Sequence, residues 1–114
     1  MLAVLQQAWS IDSARQWRPE NPAAGQCNVT ALLLNELYGG MILKTPLTDG
    51  LHFYNSIAGK RVDLTASQFD QPIDYADLPS SREEAEQDIA RAEYSALKSA
   101  YLRLLQPDTQ MQNS

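Results

Sequence analysis

Three side chains in this sequence are of the types that carry acyl transfer, and they occur in the order Cys27, His52, Asp63. A thiol attacks a carbonyl only as thiolate, an imidazole can take and return the proton, and a carboxylate behind the imidazole fixes its tautomer and stabilises the imidazolium. With one cysteine and one histidine in the chain, a thiol–imidazole pair can only be Cys27 with His52. Gln26, immediately before the cysteine, offers a side-chain amide to a developing oxyanion beside the backbone N–H of Cys27. Taken singly, each residue has an ordinary reading. A lone cysteine is commonly a small buried hydrophobe, a lone histidine among aromatics a satisfied structural group, and Asp63 a partner for Lys60 or Arg61. Their joint placement is what singles them out.

That placement depends on three elements. From Cys27 to Tyr38 the apolar residues Val29, Ala31, Leu32, Leu33 and Leu37 form a face wide enough for a helix in the centre of the domain. Cys27 opens it, where the helix dipole and unpaired amides favour an anion. Gly39-Gly40 ends it with a left-handed cap. Leu51 to Ile57 reads as a strand carrying His52, Ala58-Gly59-Lys60 as a compact turn, and Arg61 to Thr65 as the second arm of a hairpin. With Ala58 and Gly59 as the central turn residues, Asp63 stands opposite Tyr54, one diagonal step from His52 on the same face. A longer turn would shift the register and spoil this geometry.

The rest of the chain supplies support. Leu2, Leu5, Ala8 and Trp9 predict a short amphipathic helix, Leu2 to Trp9. Ser10 to Gln26, with Pro19 and Pro22, is an ordered loop pinned by Trp17. Met41 to Leu43 is a short strand, Thr45 to Gly50 a loop, and Asp70 to Pro79 a linking loop. Ser81 with Glu84, or Ser80 with Glu83, makes a capping box that starts a long helix from Arg82 to about Gln106, where Pro107 stops it and leaves a frayed tail over 107–114. Trp9, Trp17, Phe53, Tyr54 and Phe69 are core or pocket walls. The charged run Arg82 to Asp88 is a solvated helix face, and Asn55, on the strand face away from His52, bonds a neighbouring loop.

Composition narrows the function classes. The 114 residues are 44% hydrophobic and 20% charged, which fits one globular domain and excludes a disordered tail or a rod. The net charge of −5, without a basic stripe, removes the counterion-release drive for nucleic acid. No apolar run is long enough for a membrane span, and the start Met1-Leu2-Ala3-Val4 lacks the basic region of a signal peptide, so the expected location is the cytoplasm. Carboxylates would have to complete any closed zinc site, so neither a metal nor another cofactor is expected.

The segments Trp17-Arg18-Pro19-Glu20-Asn21-Pro22, Gly25-Gln26-Cys27-Asn28-Val29-Thr30-Ala31-Leu32, Gly39-Gly40, Leu51-His52-Phe53-Tyr54-Asn55, Val62-Asp63-Leu64-Thr65 and Gln68-Phe69, with the closing helix around Arg91 to Leu105, resemble the YunG-like family of small bacterial proteins. The resemblance implies a minimal domain similar to papain-like and transglutaminase-like cysteine hydrolases. In that α+β arrangement a helix with the cysteine at its N-terminus packs on a small antiparallel sheet carrying histidine and a third polar residue. It matches Cys27 to the nucleophile, His52 to the base and Asp63 to the orienting acid, and puts Gln26 in the oxyanion segment. The chain lacks the second lobe of a general protease, so the expected partner is a peptide, a protein or a small acyl substrate. The alternative from another class is a binding or regulatory module that uses the same cleft for a protein or peptide without turnover.

Overall fold

Cys27–Tyr38 is buried on nearly every side, with Val29, Thr30, Ala31, Leu32, Leu33 and Leu34 all inside, and a helix with that many apolar positions has to be covered by several neighbours. The computed structural model describes residues 2–48, 50–87 and 89–105. Among them the helices are α1 (Leu2–Ala8), α2 (Cys27–Tyr38), α3 (Arg82–Glu86) and α4 (Arg91–Leu104). The strands are β1 (Met41–Leu47), β2 (Gly50–Ile57), β3 (Lys60–Val62) and β4 (Leu78–Pro79), in one antiparallel sheet of order β3-β2-β1-β4. The architecture is α+β, with a long C-terminal helix. No helix among the described residues is long and apolar enough to cross a membrane.

α2 separates two apolar clusters. On one side Leu5, Ala8 and Trp9 of the α1 region meet Val29, Leu33, Leu97 and Tyr101. On the other, Ala31 and Leu32 meet Ile42, Phe53 and Ala85. Burying a side chain such as Leu33 contributes about 1.5–3 kcal/mol, so the clusters fix α2 between α1/α4 and the sheet. Trp9 Nε1 donates to Thr30 Oγ1 at 2.9 Å, and Asn55 Nδ2 donates to the Ala31 carbonyl at 3.0 Å. Asn55 therefore ties the sheet to α2 and not to a loop as expected. Gly39 caps α2 through its N–H to Asn35 O. Gly40 is irreplaceable for a different reason: its φ is +79°, and a Cβ there would lie 2.1 Å from the Ser56 carbonyl oxygen.

The hairpin register follows the expectation, with Ile57 opposite Lys60 and Asn55 opposite Val62 around a two-residue Ala58-Gly59 turn. Both turn residues have positive φ, 52° and 79°, the geometry that matches strand twist. The second arm is shorter than expected and ends at Val62. Asp63 leaves the ladder because its Oδ1 accepts from Thr65 N and Oγ1, an Asx turn that feeds the 3-10 turn Ala66–Gln68. β1 runs on through Thr45, Pro46 and Leu47, where a loop was expected, because those residues pair with His52, Leu51 and Gly50. β4 was not foreseen; it adds a two-residue edge opposite Leu43 and Lys44.

The expected single helix from Arg82 is two. Ser81 Oγ accepts from Glu84 N, but the Glu84 carboxylate turns to Lys44 and Ser80 instead of closing a capping box. α3 stops at Glu86, and α4 restarts after Ala90, whose N–H donates to the Glu93 carboxylate. Ile89, between them, packs against both clusters. The charged run is only partly a solvated face, since Arg82 reaches Leu32 O and Asn35 Oδ1 while Glu83 and Glu86 are exposed. Asp88, the stop at Pro107 and the tail 107–114 lie outside the described residues.

Candidate functional site

Cys27 is the first residue of α2, and what precedes it determines what surrounds the thiol. Gln26 is fully buried behind the helix start. Its Oε1 accepts from Ser13 Oγ at 2.8 Å and its Nε2 donates to the Ser10 carbonyl at 3.3 Å. Both ends of that amide are held within the core, so the Gln26 side chain does not face the cysteine as the sequence suggested. The glutamine that lines the cavity with Cys27 is Gln16. Gly25 has φ +72°, and a Cβ there would lie 2.4 Å from Gln16 Oε1, so the Gln16 carboxamide lies across the Gly25 backbone two residues before the thiol. The signal was available as Gly25 itself, a glycine two residues before Cys27 where another group approaches the backbone closely.

β2 carries His52 as expected. The ring is 1% exposed, and its Nε2 is 2.7 Å from Asp63 Oδ2. Tyr75 OH donates to the same oxygen at 2.8 Å, so the carboxylate takes donors on both oxygens. Burial alone would lift Asp63, but its bonds to and the charge of His52, with the Tyr75 hydroxyl, hold it below the usual carboxylate range. Burial pulls His52 the other way, towards the neutral form. The bond to Asp63, then Cys27, outweigh this and push it up to about 9. Phe69 meets the ring edge-on at 5.0 Å and Tyr54 stacks at 5.6 Å, which fixes its plane. Lys60 and Arg61 do not compete for Asp63. Arg61 pairs with Asp77 and lies over the Tyr75 ring at 4.2 Å. Tyr75 was missed because it comes from the irregular segment before β4, where no periodicity marks a side chain for the site.

The Cys27 thiol and the His52 ring line one cavity of about 610 Å³. Cys27 is near enough to strengthen proton binding at His52, and its thiol donates to Asn28 Oδ1 at 3.3 Å; among the described residues His52 Nδ1, the nitrogen left over by Asp63, is buried without a partner of ordinary hydrogen-bond geometry. Gln68 stands in the same wall. Its Oε1 accepts from Gly25 N at 3.2 Å, while its buried Nε2 has no acceptor among the described residues. The Cys27 backbone N–H, in the first turn of α2, likewise has no partner there. The structure thus brings Cys27, His52 and Asp63 to one place, adds Gln16, Gln68 and Tyr75, and leaves the Gln26 side chain behind. Such a set can hold a carbonyl oxygen with amide donors while a thiol and an imidazole exchange a proton beside it. No cluster of metal-ligating side chains occurs among the described residues.

Comparison with known proteins adds the relationship. The family model described as YunG protein matches residues 1–106. A protein of Bacillus subtilis (strain 168) named "Uncharacterized protein YunG" is 46% identical over 100 residues, 88% of this chain and 87% of that one. No solved structure matches.

Proposed function

The chain belongs to the YunG family, and from that premise we propose that it is a thiol-dependent hydrolase or acyltransferase of minimal papain-like type, acting on an amide, isopeptide or thioester. The observation that carries this reading is the orientation of His52. One ring nitrogen is fixed on Asp63 at 2.7 Å, and the other is buried without a partner among the described residues in a ring that lines the Cys27 cavity. An imidazole used only for structure would be expected to have both nitrogens satisfied.

In this mechanism Sγ attacks the substrate carbonyl carbon as thiolate, while the proton it has given up is held on His52 Nδ1, the ring whose proton affinity is raised. Asp63, held by Tyr75 and Thr65, keeps the ring in place and stabilises the imidazolium. The oxyanion takes the Cys27 backbone N–H and the Gln16 amide. His52 then returns the proton to the departing nitrogen or sulfur as its bond to carbon breaks, which leaves a thioester on Cys27. Water, or a nucleophilic acceptor, gives its proton to His52 and releases the acyl group.

The test is alkylation of Cys27 by iodoacetamide at pH 6–7. Wild type should react at least ~10-fold faster than a free small thiol, and His52→Ala should lose that excess, as should His52→Gln, which keeps a donor for Asp63. A Cys27 no faster than the free thiol, in protein shown to be folded by circular dichroism, contradicts the reading.

A second reading has one observation in its favour, the Cys27 Sγ turned to Asn28. On this reading the chain is a binding or regulatory module whose cleft recognises a protein or peptide. Acyl-probe labelling that is equal in wild type and Cys27→Ser would favour it.

A further inference from the structure

The cavity beside His52 has a sided chemistry. In any acyl transfer at Cys27, the group that departs must lie next to the imidazole that hands it a proton, whereas the acyl chain points away from that ring. His52 and Cys27 line this cavity, while the neighbouring polar depression, of about 520 Å³, touches neither of them and meets it only across Gln16 and Gly25. The lining includes Leu47, Thr48, Leu51 and Phe69, with Phe69 against the His52 ring and no charged residue among the described lining. Leu51 is 41% exposed and Phe69 36%, on the cavity that holds the half-buried Cys27 and the buried His52. Leu51 directly precedes His52 on β2, and Leu47, the last residue of β1, pairs with Gly50 just before it. Large apolar side chains left open at that point gain by being covered.

We propose that this cavity is the leaving-group subsite and that it selects an uncharged, apolar leaving group, with Leu47 and Leu51 as its specificity-determining walls. The proposal rests on the acyl-transfer reading and specifies its substrate class: acyl compounds whose departing amine or thiol carries an aliphatic or aromatic group. The covalent step balances within the site. Cys27 Sγ bonds to the acyl carbon, the bond from that carbon to the leaving heteroatom breaks, and the thiol proton reaches that heteroatom through His52.

The test uses two thioacetates that share one acyl group, S-benzyl thioacetate and S-(2-hydroxyethyl) thioacetate. Acetylation of Cys27 is followed by mass spectrometry, and each rate is divided by that of N-acetylcysteine with the same compound to remove intrinsic reactivity. Because a single methylene in an apolar pocket already discriminates roughly 10-fold or more, the normalised benzyl rate should exceed the hydroxyethyl rate at least ~10-fold. Leu47→Gln and Leu51→Gln, each shown to be folded by circular dichroism, should each cut that ratio several-fold. A normalised ratio near one, with the iodoacetamide excess intact, overturns the subsite and leaves the acyl-transfer reading standing. A preference that survives both substitutions places the leaving group elsewhere and also overturns it. Loss of the iodoacetamide excess in wild type overturns the reading on which the subsite rests.

Discussion

Two buried polar groups flank the start of α2, and they are built in opposite ways. Behind the helix, Ser10, Ser13 and Gln26 form a closed set in which both ends of the Gln26 amide are bonded. In front, around the cavity, His52 Nδ1 and Gln68 Nε2 are buried with no partner among the described residues, and the Cys27 amide has none there either. A buried donor or acceptor without a partner costs about 1–3 kcal/mol, and the closed set removes that cost on one side only. The difference teaches which glutamine does what. Gln26, adjacent to Cys27, is held in the closed set, and Gln16, further back in the chain, lines the cavity and takes the oxyanion role in the proposed mechanism.

Substitutions should separate the two sides. The largest effect is expected at Asp63, since breaking one partner of a buried pair typically costs about 3–5 kcal/mol. Asp63→Asn should lower unfolding stability in urea by that order and also remove the excess Cys27 reactivity. The pH dependence carries the same signature. His52 is raised from 6.5 to about 9, so the stability from its protonated form is complete below about 6.5 and is lost as pH rises through about 9. Asp63 is depressed, so its share is present above the ordinary aspartate value and is lost as pH falls through the lower folded value. Asp63→Asn should flatten the decline on the alkaline side.

Gln16→Ala comes next and should act on rate alone. Removing one oxyanion donor typically costs about 10²–10³ in rate, so formation of the acetyl enzyme from a thioacetate should fall by that order, with the urea midpoint essentially unmoved. Gln26→Ala is the mirror case and the smaller effect. Two buried bonds are lost, stability should drop by about 1–3 kcal/mol, and the acetylation rate of the folded protein should stay within about twofold. If Gln26→Ala slows acetylation at unchanged stability, the two glutamines have been assigned the wrong way round.

The parts legible in the sequence were those set by local periodicity and turn chemistry. α2 could be bounded because its apolar face begins at Cys27 and its end is marked by Gly39, and the His52–Asp63 approach could be derived because the Ala58-Gly59 turn fixes the register. What was not legible depends on contacts distant in the chain. The stripe Ala85, Ile89, Ala92 continues without a break in sequence, so nothing local announces the gap between α3 and α4. That gap is set by Ile89 packing against both clusters and by Glu93 taking the Ala90 N–H. β4 holds a proline and pairs over two residues, too short for any alternation to appear. Tyr75 and Gln16 come from irregular segments, where no period connects a side chain to the place it reaches. Gln26 misled because adjacency in sequence says nothing about direction at the residue that enters a helix.

The central claim is that Cys27 and His52 act as one unit, and the chain's single histidine makes that directly measurable. The imidazole of His52 can be titrated by NMR in wild type and in Cys27→Ala. The account predicts a wild-type midpoint raised to about 9 and a clearly lower one once the sulfur is gone, because Cys27 is among the groups that hold the proton on the ring. Identical titrations in the two proteins would contradict it.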